Sequence, residues 1–293
     1  MRVAMVGLGT MGLPMARHLV TAGHDVVGCD LDPGQVEALG AGGAETPGEA
    51  AAAADAVLLS LPSAEAVEDV VLGERGVRSA ARPGTLLVDM STSAPSLARR
   101  LAAECPELDV LDAPVSGGPR GAEDASLTIM AGGTEDAFER ARPLFEALGR
   151  LVVLVGRHGA GQAAKLCNNL IAGATMAAIS ESCAIAVREG LDPGTLYELL
   201  TASTGSSRVL RTRFPLPGVD DAHPASNGFA PLFALDLIAK DLGLALELAD
   251  GHGLEVPVAA AALDAYRAAQ REGLGALDYS AVYRRGGGPE ASD

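Results

Sequence analysis

A chain of 293 residues with 48% apolar and 20% charged residues is long enough to bury a substantial core and is not of disordered composition. Its formal net charge of −16 disfavours nucleic acid, whose phosphates require a basic footprint, and equally disfavours docking on an anionic membrane. An anionic small molecule stays open as a partner, because a cleft can hold local positive charge against the overall field.

The first half alternates short apolar runs with stretches of helical character. Residues 3–6, 25–29, 57–61 and 85–89 read as buried strands, and further strands are expected at 110–112, 127–131 and 151–155. Helices are expected over 11–22 and 46–54, the second capped by Thr46 with Pro47 in its first turn. Such alternation implies parallel strands with right-handed crossovers. Beyond Gly161 the character changes to long Ala/Leu segments, with helices expected over 162–188, 193–200, 232–248 and 258–272 and a loop over 214–227. Two domains follow, residues 1–160 and residues 161–293, and the tail 285–293 reads as frayed.

Cys29, Cys105, Cys167 and Cys183 form no CxxC pair and no His/Cys ligand spacing, so they read as small buried side chains in a reducing compartment, with no metal site. Glycines and Pro14 interrupt the apolar N-terminus, which therefore does not read as a signal peptide. The apolar stretch 170–187 is broken by Ser180, Glu181 and Ser182, and it reads as a buried soluble helix and not a membrane span. A cytoplasmic protein is the expectation.

Gly7, Leu8, Gly9, Thr10, Met11 and Gly12 form a GxGxxG string that follows the first strand and opens the first helix. In that setting Gly7 permits the tight turn, Gly9 lets a pyrophosphate approach the backbone, and Gly12 lets the helix pack on the strand. Asp30, at the end of the second strand, is placed to accept from both adenosine-ribose hydroxyls. Its charge would repel a 2′-phosphate, which favours NAD over NADP. The alternative at Asp30 is a carboxylate that caps a turn before Pro33.

Several longer strings occur in one order along the chain. They are Asp89-Met90-Ser91-Thr92, Asp112-Ala113-Pro114-Val115-Ser116-Gly117-Gly118, Leu127-Thr128-Ile129-Met130-Ala131-Gly132-Gly133, the segment from Gly159 to Asn169 containing Gln162-Ala163-Ala164-Lys165, and Lys240-Asp241-Leu242. With the glycine string, they make the sequence resemble the β-hydroxyacid dehydrogenases over nearly its whole length, and within that family the 3-hydroxyisobutyrate dehydrogenases. The resemblance implies an α/β Rossmann dinucleotide-binding domain followed by an all-α domain joined by a long helix. It implies oxidation of 3-hydroxyisobutyrate, or a close small 3-hydroxy acid, to its semialdehyde. It assigns Ser116, Gly117 and Gly118 to the substrate carboxylate, Lys165 to proton transfer and Asn169 to its support. Thr92 and Lys240 would border nicotinamide and substrate, and Phe233 would pack against the site. Leu61 and Pro62 are placed with the cofactor-binding residues.

The residues themselves support this chemistry. Hydride loss from an alcohol needs a group that takes the hydroxyl proton. Lysine can do so once burial or a nearby cation lowers its pKa, whereas arginine stays protonated. The chain has two lysines, Lys165 and Lys240, against twenty arginines. A chain that uses arginine almost everywhere else needs lysine at these two positions. Lys165 and Asn169 are four apart on an expected helix and project from one face. Ser116-Gly117-Gly118 offers a hydroxyl and unobstructed N–H groups for a carboxylate. For Lys240 a surface pair with Asp241 is the alternative. Arg208 and Arg211 reach a cleft or are surface charges, the five histidines are structural or exposed, and Glu181 is a packing or interface residue. Two other readings stay open: an NADPH-dependent semialdehyde or glyoxylate reductase of the same family, and a non-catalytic dehydrogenase-like scaffold. The apolar excess of the helical half predicts a homodimer or homotetramer.

Overall fold

The computed structural model describes residues 1–286. By contact the chain divides into two units, Met1–Lys165 and a second that starts at Leu166. In the first, β1 (Arg2–Val6), α1 (Gly12–Thr21), β2 (Asp25–Cys29), α2 (Pro33–Leu39), β3 (Gly42–Gly43), α3 (Pro47–Ala51), β4 (Ala56–Leu59), α4 (Ala64–Leu72), β5 (Leu86–Asp89), α5 (Pro95–Glu104) and β6 (Asp109–Asp112) follow one another. These strands pair in parallel in the order β3-β2-β1-β4-β5-β6, a Rossmann-like sheet. Strand order reverses between β1 and β4, where Val6 pairs with Leu59. In such sheets ligands bind beyond the carboxyl ends of the strands at that reversal.

The expectation of parallel strands throughout fails after β6. β7 (Val115–Ser116) ends in the Gly117-Gly118 turn, α6 (Gly118–Glu123) is a six-residue helix, and β8 (Leu127–Gly132) returns antiparallel to β7 and to the end of β6. A connection this short joins antiparallel neighbours, since a parallel crossover takes a dozen or more residues. After α7 (Glu135–Glu146), β9 (Gly149–Gly156) pairs in parallel with β8.

Alternating residues of β1 show how the sheet is covered on both faces. Val3 and Met5 pack with Leu8, Met15, Leu19, Phe138 and Phe145, and Ala4 and Val6 with Val67, Val71, Leu97 and Leu101. Helix entries are set by side-chain caps. Asp32, Thr46, Ser63 and Thr134 accept from backbone N–H groups of α2, α3, α4 and α7.

α8 (Ala160–Arg188) begins in the first unit and continues into the second. The second unit adds α9 (Pro193–Ala202), α10 (Arg208–Thr212), α11 (Leu235–Asp250) and α12 (Pro257–Arg271). Its core joins Met176, Ile179 and Cys183 of α8 to Phe214, Leu235, Ile238, Leu242, Leu263 and Tyr266. Three expectations are corrected here. The segment 170–187 is a helix buried on one face, with Ile171 and Ile185 65% and 66% exposed on the other. α8 is also long and apolar enough to cross a membrane, although the core helix of a soluble protein has the same length and composition. Cys167 is exposed while the other three cysteines are buried, because it lies with Asn168 and Ile171 on the outer face of α8. Finally, the loop expected over 214–227 closes with a 3₁₀ turn at Pro224–Asn227, and α10 precedes it, too short for periodicity to reveal. Of the tail read as frayed, Arg285 and Gly286 end a 3₁₀ helix, and the rest lies outside the described residues. Among the described residues no group of three or more metal-ligating side chains occurs.

The start of α8 fits its surroundings only because Gly161 carries no side chain. A Cβ there would stand 2.2 Å from Met130 O and 2.7 Å from Asp112 O. Gly161→Ala is predicted to lower stability by about 1–3 kcal/mol, the usual cost of overpacking. Urea denaturation measures this, and an unshifted midpoint would contradict the packing argument.

Candidate active site

The glycine loop is tied to its neighbours at both ends. Gly7 has φ +88°, and a Cβ on it would lie 2.3 Å from Ser60 O at the end of β4. A Cβ on Gly12 would lie 1.8 Å from Gly7 O. Packing inside the protein therefore demands glycine at both positions. A Cβ on Gly9, by contrast, would meet no protein atom within 4 Å. Leu8 is buried in the core, and its N–H donates to Asp30 Oδ2 at 2.6 Å, while Asp30 Oδ1 accepts from Asp32 N at 2.9 Å. The Asp30 carboxylate thus holds a turn, as the alternative reading had it, and also the glycine loop. Thr10 is exposed and Met11 half-buried beside it.

Next along the strand ends come Leu61, Pro62 and Thr92. Leu61 N–H donates to Ser91 Oγ at 2.9 Å, and Ser91 N–H to Asp89 Oδ1 at 3.0 Å. On the other side of the half-buried Thr92, Ser93 N–H donates to Gln162 Oε1 at 3.0 Å, and Gln162 Nε2 donates to Ser91 O at 2.9 Å. Asp112 receives the N–H groups of Gly159 and Gln162 at 2.7 and 2.9 Å, which caps the entry to α8. Lys165 follows on that helix, 7% exposed.

Parallel pairing sets Asp89 beside Asp112. Burial pushes the Asp89 carboxyl up to about 6, against the lowering effect of its hydrogen bonds to Ser91 and with a further rise from Asp112. Burial also raises Asp112, opposed by the Gly159 and Gln162 N–H groups. Ser116, at the end of β7, leads into Gly117 and Gly118 at φ +143° and +63°, two successive backbone settings that favour glycine.

In the helical unit, Asp241 joins two of the expected site residues. It is 1% exposed; its Oδ2 accepts from Asn169 Nδ2 at 2.5 Å and its Oδ1 lies 3.0 Å from Lys240 Nζ. Asn168 Nδ2 donates to Asn169 Oδ1 at 2.9 Å, which fixes the orientation of that amide. The alternative reading of Lys240 was a surface pair with Asp241. The pair exists, but its acid is buried on the inner face of α11. Lys240 also lines an open groove of about 350 Å³ with Asp236, Glu247 and Arg267.

Phe233 is held through its backbone. Its N–H and that of Leu232 donate to Asp278 Oδ2, its carbonyl accepts from Tyr279 N, and its ring meets the Tyr279 ring edge-on at 6.1 Å. Asp278, fully buried, also takes Arg213 Nε at 3.4 Å and the Ser280 hydroxyl. Sequence reasoning missed Asp241, Asp278, Asp112 as a cap, and Gln162. The signal for Asp112 and Gln162 was their membership in the long motif strings. Arg211 is engaged by Thr201 O and Ser206 Oγ, His18 and His158 hydrogen-bond to main-chain carbonyls, and Glu181 is exposed.

Comparison with known proteins agrees with a Rossmann-like domain followed by a helical one. Residues 2–156 match the family described as the NAD binding domain of 6-phosphogluconate dehydrogenase, and residues 159–285 that described as the NAD-binding of NADP-dependent 3-hydroxyisobutyrate dehydrogenase. The chain is 42% identical to a 3-hydroxyisobutyrate dehydrogenase of Pseudomonas aeruginosa, covering 96% of this chain and 98% of the other. It is 40% identical to an NAD-dependent L-serine dehydrogenase of the same organism, covering 97% of each. A solved structure of Mycobacterium tuberculosis 3-hydroxyisobutyrate dehydrogenase with L-serine superposes with a TM-score of 0.89 at 39% identity, covering 97% of this chain and 98% of that one.

The raised Asp89 carboxyl links stability to pH. Folding raises its pKa from 3.8 to about 6, so the native state binds the proton more tightly than the unfolded chain. Stability from this group is full below the unfolded value and is lost as pH rises through 6, a change of about 3 kcal/mol. Relative to Asp89→Asn, the wild-type chain is predicted to lose stability between pH 5 and pH 7.5. Urea melts at both pH values check it, and a constant difference would overturn it.

Proposed function

Because the chain belongs to the 3-hydroxyisobutyrate dehydrogenase family of NAD(P)-dependent hydroxy-acid dehydrogenases, we propose that it oxidises 3-hydroxyisobutyrate, or a close small 3-hydroxy acid, to the semialdehyde with NAD. The observation that carries this reading is the buried Lys165, one turn before Asn169 on α8, in a chain with only one other lysine. The glycine loop supports the cofactor. Protein packing explains Gly7 and Gly12 but not Gly9, where a side chain would meet nothing of the protein. A backbone approach by a diphosphate accounts for glycine there. The Asp30 carboxylate favours NAD by repelling a 2′-phosphate, although one matched family is described by NADP. Gly7, Leu8, Gly9, Thr10, Met11, Gly12, Asp30, Leu61, Pro62 and Thr92 would hold the dinucleotide, whose nicotinamide supplies the hydride acceptor.

Ser116, Gly117 and Gly118 bind and orient the substrate carboxylate with a hydroxyl and backbone N–H groups. Neutral Lys165 takes the proton from the substrate hydroxyl as C3 is oxidised, and Asn169 orients the reacting oxygen. Asp241 fixes the amide of Asn169 and the ammonium of Lys240, and Lys240 and Phe233 are assigned to the substrate by the family resemblance. L-Serine is a second substrate candidate, favoured by the serine dehydrogenase relative. One methyl group separates such substrates by only about 1–3 kcal/mol. We assign the exposed Ile171, Ile185 and Leu199 to contact with a second copy of the chain, as a homodimer or homotetramer. Light scattering of the eluted protein at one-chain mass would overturn that assignment.

The functional test is absorbance of reduced nicotinamide with NAD or NADP against 3-hydroxyisobutyrate, 3-hydroxypropionate and L-serine. Preferential turnover of 3-hydroxyisobutyrate with NAD is expected, and Lys165→Ala should lower kcat by about 100-fold or more. Near-normal turnover in that variant would sink the proton-transfer role. Turnover with NADP alone would overturn the reading of Asp30.

A further inference from the structure

We propose that Gln162 is a positioning residue, which sets the Thr92 loop at a fixed distance from the turn of α8 that carries Lys165. Its side chain is fully buried and grips the chain on both sides of Thr92, accepting from Ser93 N–H and donating to Ser91 O. Its own N–H donates to Asp112 at the end of β6, and Lys165 stands three residues further along the same helix. The grip extends one step more, since Ser91 Oγ receives Leu61 N–H from the loop after β4. The Gln162 carboxamide thus holds the loop after β5, its main-chain N–H ties the entry of α8 to the end of β6, and Ser91 links both to the loop after β4.

The chemistry of the two contacts selects that group. A backbone N–H only donates and a backbone carbonyl only accepts, so their partner must present an acceptor and a donor about 2 Å apart in one plane. A primary amide does this at any pH. Asparagine is one methylene too short, and glutamate matches the pattern only while protonated, as a carboxylic acid. The flanking arrangement also settles which amide atom is oxygen, because the reverse orientation would set N–H against N–H and oxygen against oxygen. Displacement of reacting groups by about 1 Å costs on the order of 100-fold in rate. The inference rests on the dehydrogenase reading above, because Thr92 and Lys165 are its cofactor-side and proton-transfer groups.

The test compares Gln162→Leu and Gln162→Glu with wild type and Lys165→Ala in the NAD and 3-hydroxyisobutyrate assay, from pH 6 to pH 9. Gln162→Leu should lower kcat by about 10- to 100-fold. In Gln162→Glu the titratable groups of the same network are Asp112, which takes the main-chain N–H of residue 162, Asp89, which takes Ser91 N–H, and Lys165, three residues on in the same helix. Burial beside two acids would hold it protonated at the acid end, where it reproduces the amide pattern. The variant-to-wild-type ratio of kcat should therefore start near unity at pH 6 and fall at least 10-fold by pH 9, as the ionised group meets Ser91 O. A purely structural role would lower melting temperature without that titration. A ratio flat across pH, or a folded Gln162→Leu protein with wild-type kcat, would overturn the inference while leaving the dehydrogenase reading intact. Should Gln162→Leu fail to fold, the pH course of Gln162→Glu alone decides. Absence of wild-type turnover would instead overturn the dehydrogenase reading, and full activity in Lys165→Ala the proton-transfer role of Lys165; either would take the inference with it.

Discussion

The buried Asp112 carboxylate is the constraint on which the rest of the site depends. It sits at the end of β6 and receives two N–H groups from the first turn of α8, so a helix of 29 residues is anchored at one end to a strand of the sheet. Unpaired N–H groups at a helix start attract negative charge, and here that charge is taken from inside the protein. The cost of burying the carboxyl is offset in part by hydrogen bonds to its charged form. With this contact made, the axial position of Lys165 is fixed relative to the ends of β5 and β6, two turns of helix or less from the cap.

The glycines complete the same arrangement. Gly7 approaches the end of β4, Gly12 approaches Gly7, and Gly161 approaches β8 and β6, each at distances that exclude a methyl group. Close approach of main chain to main chain gives more exact placement than side-chain packing, because rotamers add no slack. The sheet order and its reversal put all of these approaches at the carboxyl ends of the strands, where dinucleotide-binding sheets place their ligands.

Much of this is legible in the sequence, and the limits follow from physics. The glycine loop, Asp30 and the buried strands can be read because local backbone demands and burial on both faces leave short-range signatures. The lysine at position 165 can be read because twenty arginines make lysine informative. What cannot be read are contacts between residues far apart in the chain. Asp241 looks like half of a surface pair beside Lys240, and only its partner Asn169, 72 positions earlier, shows that it points inward. The antiparallel return of β8 was hidden for a similar reason, as its strand run resembles those of the parallel strands. Cys167 was misjudged because cysteine is usually buried, whereas the face of α8 it occupies is set by tertiary packing.

The grip of Asp278 on the main chain at Phe233 has a consequence for how such proteins diversify. One buried carboxylate, carried by a different part of the chain, takes the N–H groups of Leu232 and Phe233 and is itself held by Arg213 and Ser280. The path of the loop is thereby decoupled from the identity of the side chain at position 233. A change there alters the shape presented at that point while the backbone stays where it is. Positions of this kind let a lineage vary a side chain through single substitutions without first losing its fold.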